Sequence, residues 1–140
     1  YEGSREKIEL AAEIDFLKNY SALFLLRNQS NLDFNANYPE NIPEMKIAPL
    51  LLLNLLENAF KHLKVNKKGA HFIYLDLSIY EQELHFHLRN SYQKKVSAPE
   101  SGGVGLTNLK KRLQFIYPKR NELIIAAQPD EFQVSLNLKL

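Results

Sequence analysis

From Arg5 to about Arg27 the apolar residues Ile8, Ala11, Ala12, Phe16, Tyr20, Leu23 and Phe24 recur at three- and four-residue intervals, the period of a helix with one buried face. "NLDFNANY" then alternates at Leu32, Phe34, Ala36 and Tyr38, as a half-buried strand does, and "PENIP" closes it. Pro49 is expected in the first turn of the next helix, where its missing N–H would have had no intrahelical partner. That helix runs through "LLLLNLLENAFKHL", Leu50 to Leu63, and "NKKG" ends it. "HFIYLDLSIY" and "ELHFHLRN", joined by Glu81 and Gln82, read as a β-hairpin. The polar, aperiodic "SYQKKVSAPESG" is a loop, and loops of that length inside a compact domain are usually functional or mobile. "GVGLTNLKKRLQFIY" is a glycine-rich turn feeding a helix with Leu106, Leu109, Leu113 and Ile116 on one face, stopped by Pro118. "ELIIAAQ" and "EFQVSLNLKL" form a last strand pair around Pro129 and Asp130. The order predicts an α+β two-layer sandwich: one mixed, mostly antiparallel sheet with helices on one face.

Composition narrows the function without naming it. A chain of 140 residues fits one domain with one core. It has no cysteine, which excludes disulfides, thiolate metal sites and sulfur redox chemistry. The net charge of +2 is spread among acidic residues except near Lys110, Lys111, Arg112, Lys119 and Arg120. That is too little for a nucleic-acid footprint. No apolar run approaches the roughly 20 residues of a membrane span, and "YEGSREKIEL" is no signal peptide. The segment reads as soluble and, beginning at Tyr1 rather than methionine, as part of a longer protein.

The leucine-rich helix carries the first chemical signal. At 100° per residue, Asn54, Glu57, Asn58, Lys61 and His62 fall on one arc of roughly 140°, while Leu52, Leu53, Leu55, Leu56, Ala59, Phe60 and Leu63 take the rest. A solvated face would favour Glu and Lys over asparagine, and Leu50 and Leu51 extend the same arc with apolar residues. The pattern points to the polar floor of a partly closed cavity. Asparagine oxygen is a hard neutral ligand for Mg²⁺, lysine a point charge for phosphate, and glutamate or histidine can orient a reacting group.

The second signal is "SGGVGL", where Gly102, Gly103 and Gly105 precede a helix. Glycines there allow a tight turn and close backbone approach, and the unpaired N–H groups of the helix start face an anion. Neither a Rossmann nor a P-loop pattern fits: there is no preceding strand, the glycine spacing differs, and no Lys-Ser/Thr follows. His85 and His87 share a strand face with no third ligand evident, which makes an ordinary strand face the simpler reading.

"NLLENAFKH" followed some forty residues later by "GGVGLTNLKKRL" resembles the N box and second glycine box of the GHKL ATPases, the superfamily of gyrase, heat-shock chaperones, histidine kinases and MutL. The likeness is greatest to LytS-like sensor histidine kinases, and "IELAAEIDFLKNYSALFLLR" resembles the stretch they carry ahead of the ATP-binding module. The resemblance implies the Bergerat fold, with residues 1–30 linking to an upstream phosphoacceptor region and residues 31–140 forming the ATP-binding catalytic domain. Asn58 would coordinate Mg²⁺ on ATP. Asn54, Lys61 and His62 would lie near the phosphates or nucleotide rim, Gly103, Gly105 and Leu106 at the glycine turn, Asn108 on the phosphate side, and residues 91–101 would form the lid. In most relatives an Asp-x-Gly motif before the lid binds the adenine amino group. Here Asn90 stands for the aspartate and Tyr92 for the glycine. A neutral acceptor in place of a charged one costs around 1 kcal/mol, roughly fivefold in affinity.

Hydrolysing members of the superfamily carry a glutamate four residues before the magnesium asparagine. Asn54 occupies that position here, which favours a kinase, with Glu57 the candidate for assisting the phosphate acceptor. The resemblance thus implies phosphoryl transfer from ATP to a histidine in a segment absent from this chain, belonging to the same protein or to a homodimer mate, and onward to a response regulator. It also implies a cytoplasmic module of a membrane-bound bacterial sensor. The competing expectation is a nucleotide-impaired module acting only in dimerisation or signalling.

Overall fold

A computed structural model of the chain describes residues 6–28, 31–94 and 104–140. The elements in order are β1 (Ile8–Glu9), α1 (Leu10–Arg27), β2 (Asp33–Asn37), β3 (Lys46–Ile47), α2 (Leu51–His62), β4 (Phe72–Tyr80), β5 (Glu83–Ser91), α3 (Val104–Ile116), β6 (Asn121–Ala127) and β7 (Glu131–Lys139). Five strands form one sheet in the order β2-β4-β5-β7-β6, with β2 parallel to β4 and every other pair antiparallel. The sandwich expected from the sequence is the one formed. Alternation decides its faces: Leu84, Phe86 and Leu88 of β5 and Phe132, Val134, Leu136 and Leu138 of β7 are buried. Helix α2 packs on β5 and β7, and α3 reaches β6. The opposite face is polar, with Arg89 paired across it to Glu131 and His85 and His87 engaged with Asn137 and Ser135 on β7.

The two-residue strands β1 and β3 pair with each other, Ile8 opposite Ile47. Two residues carry no readable period, so this pair has no sequence signal. Helix α1 keeps its expected period but not its expected phase. Leu10, Glu13, Ile14, Leu17 and Ser21 form the buried face, whereas Phe16 and Leu23 are exposed. Apolar residues occur around most of this helix, so spacing alone fixed the period and left the face ambiguous.

Helix α2 begins differently from the expectation. Pro49 lies outside the helix, and Leu50 at the N-cap takes a left-handed conformation, φ +63°. Such a backbone costs a leucine about 1–2 kcal/mol. No side chain of the local segment caps the helix; Glu13 of α1 does so instead. At its other end α2 stops at His62, before "NKKG". The chain is drawn away there by the Lys64 N–H bond to the Ser91 carbonyl at 3.1 Å. Asn66 then shapes the turn: its Oδ1 accepts from the Lys68 and Ala70 N–H groups, its Nδ2 donates to the Asp130 carbonyl, and Gly69 follows at φ +82°.

The Arg89–Glu131 pair gives the fold one acid-sensitive element. The two hydrogen bonds from Arg89, at 2.8 and 2.9 Å, are the main cause holding the Glu131 carboxyl below its ordinary 4.5. A carboxyl with a lowered pKa adds stability that is complete above pH 4.5 and lost as pH falls through the lowered value. The difference in urea midpoint between wild type and Glu131→Gln is therefore expected to shrink as pH drops from 7 to 3. A difference independent of pH would show that the ion pair contributes nothing.

Candidate functional site

Asn54, Glu57, Asn58 and Lys61 stand at intervals of three and four on α2, which places them on one helix face. The face meets Gly105, Leu106, Asn108, Leu109 and Arg112 of α3 across a cavity of about 340 Å³. Behind α2's polar residues, Leu51, Leu52, Leu55 and Leu56 are fully buried, and Leu109 and Leu113 anchor α3 to the same core. The leucines thus fix the two helices, and the intervening positions are free to line the space between them.

The cavity wall carries two cations, Lys61 and Arg112, and one carboxylate, Glu57. Asn58 is half-buried, and its Nδ2 has no hydrogen-bond partner among the described residues. An amide left so inside a cavity wall costs about 1–3 kcal/mol unless a ligand or water meets it. Neutral amide oxygens beside two cations suit a polyphosphate carrying a hard divalent cation, which takes few protein ligands. Gly105 and Leu106, in the first turn of α3, stand where N–H groups are without intrahelical partners.

The sequence placed several other residues at this site. Gly103 and most of the expected lid lie outside the described residues. His62 does not line the cavity. Its ring stacks on Phe132 with centroids 5.0 Å apart and meets Tyr92 edge-on at 6.1 Å. Asn90 is also away from the cavity lining, buried in β5 with its Nδ2 donating to the Ser91 carbonyl at 2.9 Å. Of the two leucines at the margin of the projected arc, Leu51 is buried in the core and Leu50 is exposed.

Arg112 was read in the sequence only as part of a basic cluster. In the structure it lies four residues after Asn108 on the cavity side of α3, and its Nη2 donates to the Pro49 carbonyl at 2.6 Å. One side chain therefore ties the α3 wall to the start of the α2 wall. Helical spacing from Gly105 and Asn108 was the signal available for it.

The chain is similar to solved catalytic domains of histidine kinases. It superposes on the nucleotide-free catalytic domain of histidine kinase ThkA with a TM-score of 0.63 and 13% identity, covering 96% of this chain and 95% of that one. For the Acinetobacter baumannii histidine kinase AdeS the TM-score is 0.61 at 10% identity, covering 96% of this chain and 66% of that one. For the histidine kinase domain of the Erythrobacter litoralis blue-light activated kinase EL346 it is 0.63 at 15%, covering 95% and 66%. No protein-family model and no curated protein matches the sequence. At such identities the likeness is one of fold: the chain has the fold of histidine kinase catalytic domains.

Proposed function

We propose that the cavity between α2 and α3 binds ATP with Mg²⁺, and that the chain is the catalytic module of a LytS-like sensor histidine kinase. The observation that carries this reading is the convergence of Asn54, Glu57, Asn58 and Lys61 with Gly105, Asn108 and Arg112 on one cavity in a kinase-like fold. Asn58 would hold the magnesium of the nucleotide through its amide oxygen. Lys61 would meet a phosphate, and Asn108 and the backbone at Gly103, Gly105 and Leu106 the phosphate side. Glu57 would assist the acceptor, and Asn54 leaves no carboxylate where hydrolysing relatives activate water. His62 would contribute through its packing on Tyr92 and Phe132 rather than by contact. ATP supplies the phosphoryl group; the protein's part is to position it and neutralise charge.

The acceptor histidine would lie in an upstream segment or in a dimer mate, joined through residues 1–30, with a response regulator receiving the group. No helix among the described residues is long and apolar enough to cross a membrane, in keeping with a cytoplasmic module; the membrane-bound parent is inferred from the family resemblance alone. The cavity favours this reading over a module without nucleotide, because a vestigial pocket has no reason to retain a buried amide nitrogen without a partner in a wall that also carries Lys61 and Arg112. Titration calorimetry with ADP and a non-hydrolysable ATP analogue tests it. Expected is magnesium-dependent binding in the micromolar to sub-millimolar range. No heat and no thermal shift at several millimolar nucleotide would overturn it.

A further inference from the structure

Glu13 has no part in the chemistry above, yet its carboxylate lies in the core. Oε1 accepts the Leu50 N–H at 2.9 Å, and Oε2 accepts those of Leu52 and Leu53 at 2.9 and 3.1 Å. Burying a carboxylate is costly unless its hydrogen bonds are satisfied, and a serine or aspartate at position 50 would cap α2 locally. Instead the cap comes from another helix, and Leu50 is held in a strained left-handed conformation beside it.

The same junction is also held by α3 and the residue that follows it. Arg112 donates to the Pro49 carbonyl at 2.6 Å, and the buried Tyr117 hydroxyl accepts the Ala48 N–H at 3.0 Å. Residues 48–53 are thus held by both α1 and α3. Asn54, the first cavity residue of α2, follows directly, its N–H bonded to the Leu50 carbonyl at 2.9 Å.

We propose that Glu13 is a positioning residue for the nucleotide pocket: its carboxylate, and not the packing of α1 in general, fixes the start of α2 and with it Asn54 and Asn58, so that breaking this link changes nucleotide affinity. The inference rests on the nucleotide reading of the cavity. A segment joined to α1 would gain, through one carboxylate, a route to the pocket that bypasses the sheet.

The test compares wild type, Glu13→Gln and Leu17→Ala, the last loosening the same helix a turn further on without touching the junction. Affinity for ADP with Mg²⁺ is measured at a temperature where all three are folded. Side-chain amide NMR signals of Asn54 and Asn58 are recorded without nucleotide. Expected is a loss of about fivefold or more in affinity for Glu13→Gln, with shifted asparagine signals. Leu17→Ala should stay within about twofold of wild type with signals unmoved. Wild-type affinity and unmoved signals in Glu13→Gln, with only a lowered melting temperature, would reduce Glu13 to a helix cap. Equal losses in both variants would do the same. If wild type binds no nucleotide, the functional reading falls, and the amide signals alone decide whether Glu13 positions the α2 face. Should Glu13→Gln not fold, Glu13→Asp, which keeps the charge but is one methylene shorter, carries the same outcomes.

Discussion

Asn58→Ala is expected to melt at or a few degrees above wild type while losing magnesium-dependent nucleotide binding. The two effects come from the same amide. Alanine is the best helix former, and asparagine in a helix interior is about 0.7 kcal/mol poorer. Nδ2 of Asn58 adds a buried polar atom without a partner among the described residues, and alanine removes it. The substitution should therefore stabilise the domain by about 1 kcal/mol. Binding moves the other way. If the amide oxygen holds the nucleotide's cation, affinity should fall by at least the roughly 10–100-fold that losing a supporting group costs at metal sites. Calorimetric titration beside a thermal melt reads both numbers. Gained stability with lost binding is the mark of a residue kept for function at the expense of the fold. Lower stability with unchanged affinity would make Asn58 a structural amide and move the magnesium site elsewhere.

The polar face of α2 was legible because helical period alone brings residues 54, 57, 58 and 61 together, whatever the helix packs against. His62 belonged to the same projected arc, but it is the last residue of the helix, and there the aromatic neighbours Phe132 and Tyr92 decide where the ring goes. The alternating strands and the β4–β5 hairpin were equally local, and so could be read. What escaped was non-local. The cap of α2 comes from a residue 37 positions before Leu50, whereas the local sequence offered Pro49, whose missing N–H suits a first turn, as the helix start. The Arg112 bond to Pro49 spans 63 positions, and no window of sequence contains both ends. The phase of α1 depended on which side met α2, and apolar residues on both sides left that open. Asn66 looked like a helix stop, because the side-chain bonds that build its turn include one to Asp130, far along the chain.

Phe60→Ala is expected to cost about 3–5 kcal/mol, the usual range for removing a buried aromatic ring. Phe60 lies on the core side of α2, at 6% exposure. Its ring meets Phe24 at a centroid distance of 3.9 Å and Tyr20 at 5.6 Å, both on α1, and Phe34 of β2 at 6.2 Å. One ring thus joins the first helix, the edge strand and the pocket helix. Elements around the cavity left by alanine are held by other contacts, Leu17 and Ile14 on α1 among them, so collapse to fill it would be incomplete. Domains of this kind are stable by about 5–15 kcal/mol in total, so the variant would stand near the edge of folding. Urea denaturation followed by circular dichroism reads the loss as a lower midpoint with the slope kept. Phe60→Leu, which keeps most of the volume, should lose much less. If Phe60→Ala instead costs under about 1 kcal/mol, the ring is surface cover. In that case α1 is not held to the domain through this cluster.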